Sequence, residues 1–162
     1  MAFTANEALA IAIRIEHNGS RFYRRVAETI GEGKPRRLLI DLAEMEAEHE
    51  EKFTEIQASL TAEERSGSEI DADEETLSYL KAVADGHVFD VESDVGAVLT
   101  GEETLAEILD TAIGLEKESV VYYAALQEVV SAERDASKIQ DVLRDEMSHI
   151  AMLSGWRSAL PR

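Results

Sequence analysis

The sequence predicts an all-α protein built as a four-helix bundle, and three observations predict it. Long stretches lack glycine and proline and are rich in alanine, leucine, glutamate and isoleucine, which favours helix over strand. Four segments repeat apolar residues at intervals of three and four, the spacing of one helix face. About forty residues separate the second segment from the third, far more than antiparallel neighbours need, so this connection must cross the molecule. With 162 residues, 44% of them hydrophobic, the chain is long enough for one domain, 1–162, with its own core.

The first helix is predicted from about Thr4, an N-cap with Glu7 three residues on, to about Ile30, where Gly31 and Gly33 stop it. Its stripe is Leu9, Ile13, Glu16, Ser20, Tyr23, Ala27 and Ile30. The second begins near Pro35, acceptable in a first turn, and continues to about Leu60; Thr61 and Ser66-Gly67-Ser68 then mark a break. In the connection, EETLSYLKAVADGHVF reads as a short amphipathic helix ending near Gly86. The third long helix starts after Thr100-Gly101 and carries Leu105, Leu109, Ala112, Glu116, Ser119, Tyr123, Leu126 and Val130. The fourth, from about Glu133 to Leu160, carries Ile139, Val142, Glu146, His149, Leu153 and Trp156. Two hairpins joined by one long crossover is the topology of ferritin-like bundles.

Charge and composition exclude several functions. The formal charge is −18, and a surface that negative repels phosphate backbones and anionic headgroups, so neither nucleic acid nor membrane is an expected partner. There is no cysteine, which excludes disulfides, thiolate zinc sites, iron-sulfur centres and thiol redox chemistry. Any chemistry must use oxygen and imidazole groups. No apolar run approaches a membrane span, and MAFTANEALAIAIRIEH lacks a basic n-region and cleavage signal, so a cytoplasmic location is expected.

The second helix poses a problem. In AEMEAEHEEKF, Glu46 and His49 fall inside the apolar stripe and not opposite it. Taken singly, each reads most simply as a core residue with a hydrogen-bond or ion-pair partner. An internal repeat changes that reading: at an offset of one hundred, AIRIEHNGSRFY (12–23) aligns with AIGLEKESVVYY (112–123), and LIDLAEMEAEHEEKF (39–53) aligns with IQDVLRDEMSHIAML (139–153). The offset keeps Glu16/Glu116, Tyr23/Tyr123, Glu46/Glu146 and His49/His149 in step.

Glu and His three apart project from one helix face, so four helices would deliver Glu16, Glu46, His49, Glu116, Glu146 and His149 to the middle of one bundle. Four buried carboxylates without compensating charge repel one another and lose hydration, at several kcal/mol per ion. Two divalent cations balance four negative charges, which favours a dinuclear metal site. Carboxylate with imidazole and no thiolate suits iron, manganese or zinc, of which iron and manganese add redox chemistry. Tyr23 and Tyr123 read first as core aromatics, with phenol hydrogen bonds to ligand carboxylates as a second role. Asp145, four residues before His149, is placed to orient that imidazole, although the second helix has Met45 at the matching position. His17 and His87 fall off the repeat and are expected at the surface or in a loop, and Glu48, Glu50 and Glu51 form a solvated face.

These motifs resemble the rubrerythrin-type diiron domain of the ferritin-like superfamily, with AIRIEHNGSRFY and AIGLEKESVVYY as the single-Glu helices and LAEMEAEHEEKF and DEMSHIAML as the Glu-x-x-His helices. The resemblance implies two iron ions: Glu16 and His49 would be terminal ligands of one, Glu116 and His149 of the other, with Glu46 and Glu146 bridging. It also implies reduction of hydrogen peroxide, or oxidation of ferrous iron by oxygen or peroxide. Two departures matter. The absence of cysteine removes any rubredoxin-like module, so electrons would come from an external donor. Where the family has an additional carboxylate in its third helix, this chain has Ile113, and Glu118 points in a different helical direction. Three activities follow as expectations: a peroxide-reducing or oxygen-reducing diiron oxidoreductase, a ferroxidase that handles iron, and a non-catalytic bundle stabilised by zinc. Because exposed faces of long bundles commonly pair, a homodimer is expected.

Overall fold

The fold follows from where the caps lie and where the apolar stripes face. A computed structural model describes residues 3–67, 70, 72–94, 99–130 and 132–161, and among these six helices and no strand occur. Helix α1 (Ala5–Thr29) starts at the predicted capping box: Thr4 accepts from the Glu7 N–H and Glu7 accepts from the Thr4 N–H. Helix α2 (Lys34–Ser59) takes Pro35 into its first turn.

The same box recurs twice more, at Thr61 and at Thr104. Thr61 with Glu64 nucleates α3 (Ala62–Ser66), a single turn inside the predicted break. Gly67, with φ 84°, ends it, and Ser68 lies outside the described residues. Thr104 with Glu107 sets the start of α5 (Leu105–Val129). It begins after Thr100-Gly101, as predicted, and Glu103 closes the turn before it by accepting from the Thr100 and Gly101 N–H groups. The amphipathic helix in the crossover is α4 (Glu74–Ala84), capped by Asp73, and the chain closes with α6 (Glu133–Ala159). No helix among the described residues is long and apolar enough to cross a membrane.

Helices α1 and α2 pack as one hairpin and α5 and α6 as the other; between hairpins α1 faces α5 and α2 faces α6. Two apolar clusters fill the bundle, one at each end. Going along α1, residues Ala5 to Ala12 lie in the first cluster and Phe22 to Ala27 in the second, and α6 follows the same order from Ile139 to Leu153. Helices α2 and α5 pass through the clusters in reverse. Neighbours in the α1/α5 and α2/α6 pairs are therefore antiparallel, and the two hairpins are related by an approximate two-fold axis. Each of the four long helices crosses the plane between the clusters once, and there it carries its Glu or its Glu-x-x-His.

Candidate metal centre

All six repeated residues meet in that plane. Glu16, Glu46, His49, Glu116, Glu146 and His149 are each at most 4% exposed. Their oxygens and nitrogens form two overlapping groups, Glu16–Glu46–His49–Glu146 and Glu46–Glu116–Glu146–His149, in each of which one atom per residue lies within 4.8 Å of the others. Nδ1 of His49 is 2.8 Å from Glu146 Oε1 and 3.5 Å from Glu16 Oε2. Nδ1 of His149 is 3.2 Å from Glu46 Oε1 and 3.6 Å from Glu116 Oε1. The imidazoles stack with centroids 5.9 Å apart.

These distances are short, yet the cluster is poor in hydrogen bonds. Each of the six residues carries at least one buried oxygen or nitrogen without a hydrogen-bond partner, including both Glu146 oxygens and Nδ1 of both histidines. Buried polar atoms ordinarily find partners, and leaving one unpaired costs about 1–3 kcal/mol. Lone pairs converging from six residues on two points fit a pair of cations, and the donor set, four carboxylates and two imidazoles with no thiolate, fits iron, manganese or zinc. Without cations the site takes up protons. Burial and the Glu46 carboxylate push the carboxyls of Glu16 and Glu146 well above the ordinary range. Burial alone would raise Glu116 too, but Glu146, His149 and Tyr23 hold it below. For His149, burial opposes the charged form and is outweighed by Glu116 and Glu46, which lift it to about 9; for His49 burial wins, and its pKa is lowered.

The tyrosines serve the carboxylates, and they do so crosswise. The Tyr23 hydroxyl donates to Glu116 Oε1 and the Tyr123 hydroxyl to Glu16 Oε1. Seven residues along one helix is about 10 Å, beyond reach of the tyrosine's own Glu, whereas the antiparallel neighbour brings the other one alongside. Asp145 corrects the sequence reading. It does not orient His149 on its own helix; its Oδ2 lies 3.0 Å from Nε2 of His49 on α2. The His149 side chain is turned into the core and its Nε2 has no partner, while Asp145 sits at the half-exposed α2/α6 seam. His17 pairs with Glu50 at 3.3 Å, away from the cluster, and His87 is exposed in the turn after α4. Glu118 is likewise outside the cluster.

Two residues were invisible to pattern reading. Gly19 lies against Glu46: a Cβ placed there would stand 2.8 Å from Glu46 Oε2. The available signal was that a mid-helix glycine, costly by about 1 kcal/mol, aligns with Ser119 in the other repeat. Asn18 donates through its amide to the carbonyls of Val91 (2.8 Å) and Ser93 (3.0 Å), pinning the crossover onto α1. Beneath this strap a cavity of about 330 Å³ runs between α1 and α5, with walls from Ile15, Phe22 and Leu115, a cover from Phe89, Val91 and Leu99, and Tyr23, Glu46 and Glu116 at its inner end.

Comparison with known proteins agrees with this arrangement. A family model described as Rubrerythrin matches residues 7–105. A crystal structure of a candidate ferritin-like diiron-carboxylate protein from Thermotoga maritima superposes with a TM-score of 0.73 at 23% identity, covering 98% of this chain and 97% of that one. The all-α ferritin-like bundle is thereby established. No curated protein matches the chain.

Proposed function

Because the chain belongs to the rubrerythrin family, we propose that it is a non-haem diiron oxidoreductase that reduces hydrogen peroxide with electrons from an external donor. The observation that carries this reading is that Glu46 and Glu146 each belong to both donor groups. Glu16 and His49 would hold one metal ion and Glu116 and His149 the other, with the two shared carboxylates within reach of both. When bound, a pair of ferrous ions supplies one electron each, the two that turn one peroxide and two protons into two waters.

The protein's own groups do the rest. Tyr23 and Tyr123 hold one oxygen of Glu116 and of Glu16, which fixes the direction in which the second oxygen of each carboxylate points. Burial keeps both phenols protonated, so each remains a hydrogen-bond donor to its carboxylate. The apolar clusters close the plane toward both ends of the bundle, and the cavity at Glu46 and Glu116 is the approach for an oxidant. The chain has no cysteine relay, so re-reduction depends on a donor from outside it.

Metal analysis of protein purified without added metal is the first test, and two irons per chain are expected; zinc alone would make the bundle structural. Stopped-flow mixing of the anaerobic diferrous protein with peroxide and with oxygen then separates the redox readings. Peroxide oxidising the bound iron faster than free ferrous ion, with iron retained, supports the reading. Faster oxidation by oxygen with release of ferric iron would replace it with a ferroxidase.

A further inference from the structure

The cavity beside the metal centre is too large for its proposed oxidant. Peroxide and oxygen need about one water's space, roughly 30 Å³, whereas about 330 Å³ falls in the range that holds small organic molecules. Its body is apolar, contributed by residues such as Ile15, Phe22, Phe89 and Leu115. It is also preformed, because Asn18 and the ion pairs Arg14–Glu92 and Arg21–Asp94, each 2.8 Å, hold the covering segment on α1. A preformed site saves the ordering cost of binding.

The charges decide which organic molecule fits. Five carboxylates line the cavity and no Lys, Arg or His does among the described residues. Glu46 and Glu116 are turned to the metal centre, Glu103 is occupied by the N–H groups of Thr100 and Gly101, and Asp90 by that of Glu92. Glu118 remains, exposed on the outer wall, with no hydrogen-bond or ion-pair partner among the described residues. We infer that the cavity binds a small apolar amine, its ammonium against Glu118 and its hydrocarbon body directed inward toward Glu46 and Glu116. An apolar acid of the same size meets only like charge. The binding itself does not depend on peroxide reduction; only a reaction of the bound molecule would rest on that reading.

Calorimetric titration of hexylamine, hexanol and hexanoate into the protein as purified, and into protein loaded with redox-silent Zn(II), tests this. Saturable 1:1 binding of hexylamine is expected, about fivefold tighter than hexanol and weakened by salt, with hexanoate not bound. Glu118→Gln should bring hexylamine to the affinity of hexanol. Leu115→Trp should abolish binding of both, and Thr111→Trp, at an exposed position on the same wall, should do so without touching the core. Hexanoate binding as well as hexylamine, hexanol equalling it in the unaltered protein, unchanged affinity in both Trp variants, or no saturable binding would each overturn the inference. Binding to the Zn(II) form with no peroxide reduction by the iron form would overturn only the proposed activity.

Discussion

Asp145 Oδ2 stands 3.0 Å from Nε2 of His49, whereas the position that matches Asp145 in the repeat is Met45 and Nε2 of His149 has no partner. An imidazole that donates its second N–H to a carboxylate is held in one orientation and made a better donor at its other nitrogen. The two donor groups, alike in ligand type, are therefore unequal in strength.

Asp145→Ala should weaken one of two bound metals by about 10–100-fold and leave the other nearly unchanged. Cobalt(II) titration followed by visible absorption would show two unequal steps in the unaltered protein and loss of the tighter one in the variant. Equal shifts of both steps would remove the inequality.

Tyr23→Phe and Tyr123→Phe each leave a buried carboxylate oxygen without its donor, which should lower the stability of the metal-loaded protein by about 1–3 kcal/mol. Because the hydrogen bonds are exchanged between α1 and α5, the losses should match. Denaturant unfolding of both variants measures this, and a negligible loss in either would show that the phenol is only packing.

Gly19→Ala should separate helix stability from metal affinity. Alanine favours the helix by up to about 1 kcal/mol, yet its Cβ would meet Glu46 Oε2 at 2.8 Å and displace that carboxylate. Metal affinity is expected to fall about tenfold while the metal-free protein is no less stable. Ser119→Ala, where a Cβ already exists, is the control. Both variants binding metal like the parent would mean that Glu46 has room elsewhere.

Removing metal should make stability fall with rising pH. Glu16 and Glu146, pushed well above the 4.5 of a free carboxyl by burial and by Glu46, are more easily protonated folded than unfolded. The stability they contribute is present below 4.5 and is lost as pH rises toward their folded values. Metal must expel those protons, so its affinity should rise over the same interval. Thermal unfolding with and without metal from about pH 5 to about pH 8 should show a gap that widens with pH. A constant gap would mean that the carboxyls are ionised without metal.

The helices and the six buried polar residues were legible because each leaves a local mark: a 3.6-residue period, a Thr–Glu box, or a polar letter where the stripe demands an apolar one. The repeat then gave Glu46 and His49 their counterparts. What stayed hidden depends on pairing between elements. That Tyr23 serves Glu116, and Asp145 serves His49, follows from antiparallel register, which no single helix encodes. Asn18 acts only through the stretch of the crossover after α4, where Val91 and Ser93 lie, and that stretch has no periodicity to read. The starts of α3 and α5 were readable in principle, since Thr61–Glu64 and Thr104–Glu107 repeat the signature recognised at Thr4–Glu7.

Each donor group takes three residues from one hairpin and one from the other, through Glu146 in the first and Glu46 in the second. Metal bound there would act as a clasp between the halves of the chain, added to the apolar clusters that both halves share. A protease cut in the crossover would sever the covalent link and leave both fragments travelling together, and a chelator would lower the denaturant concentration needed to part them.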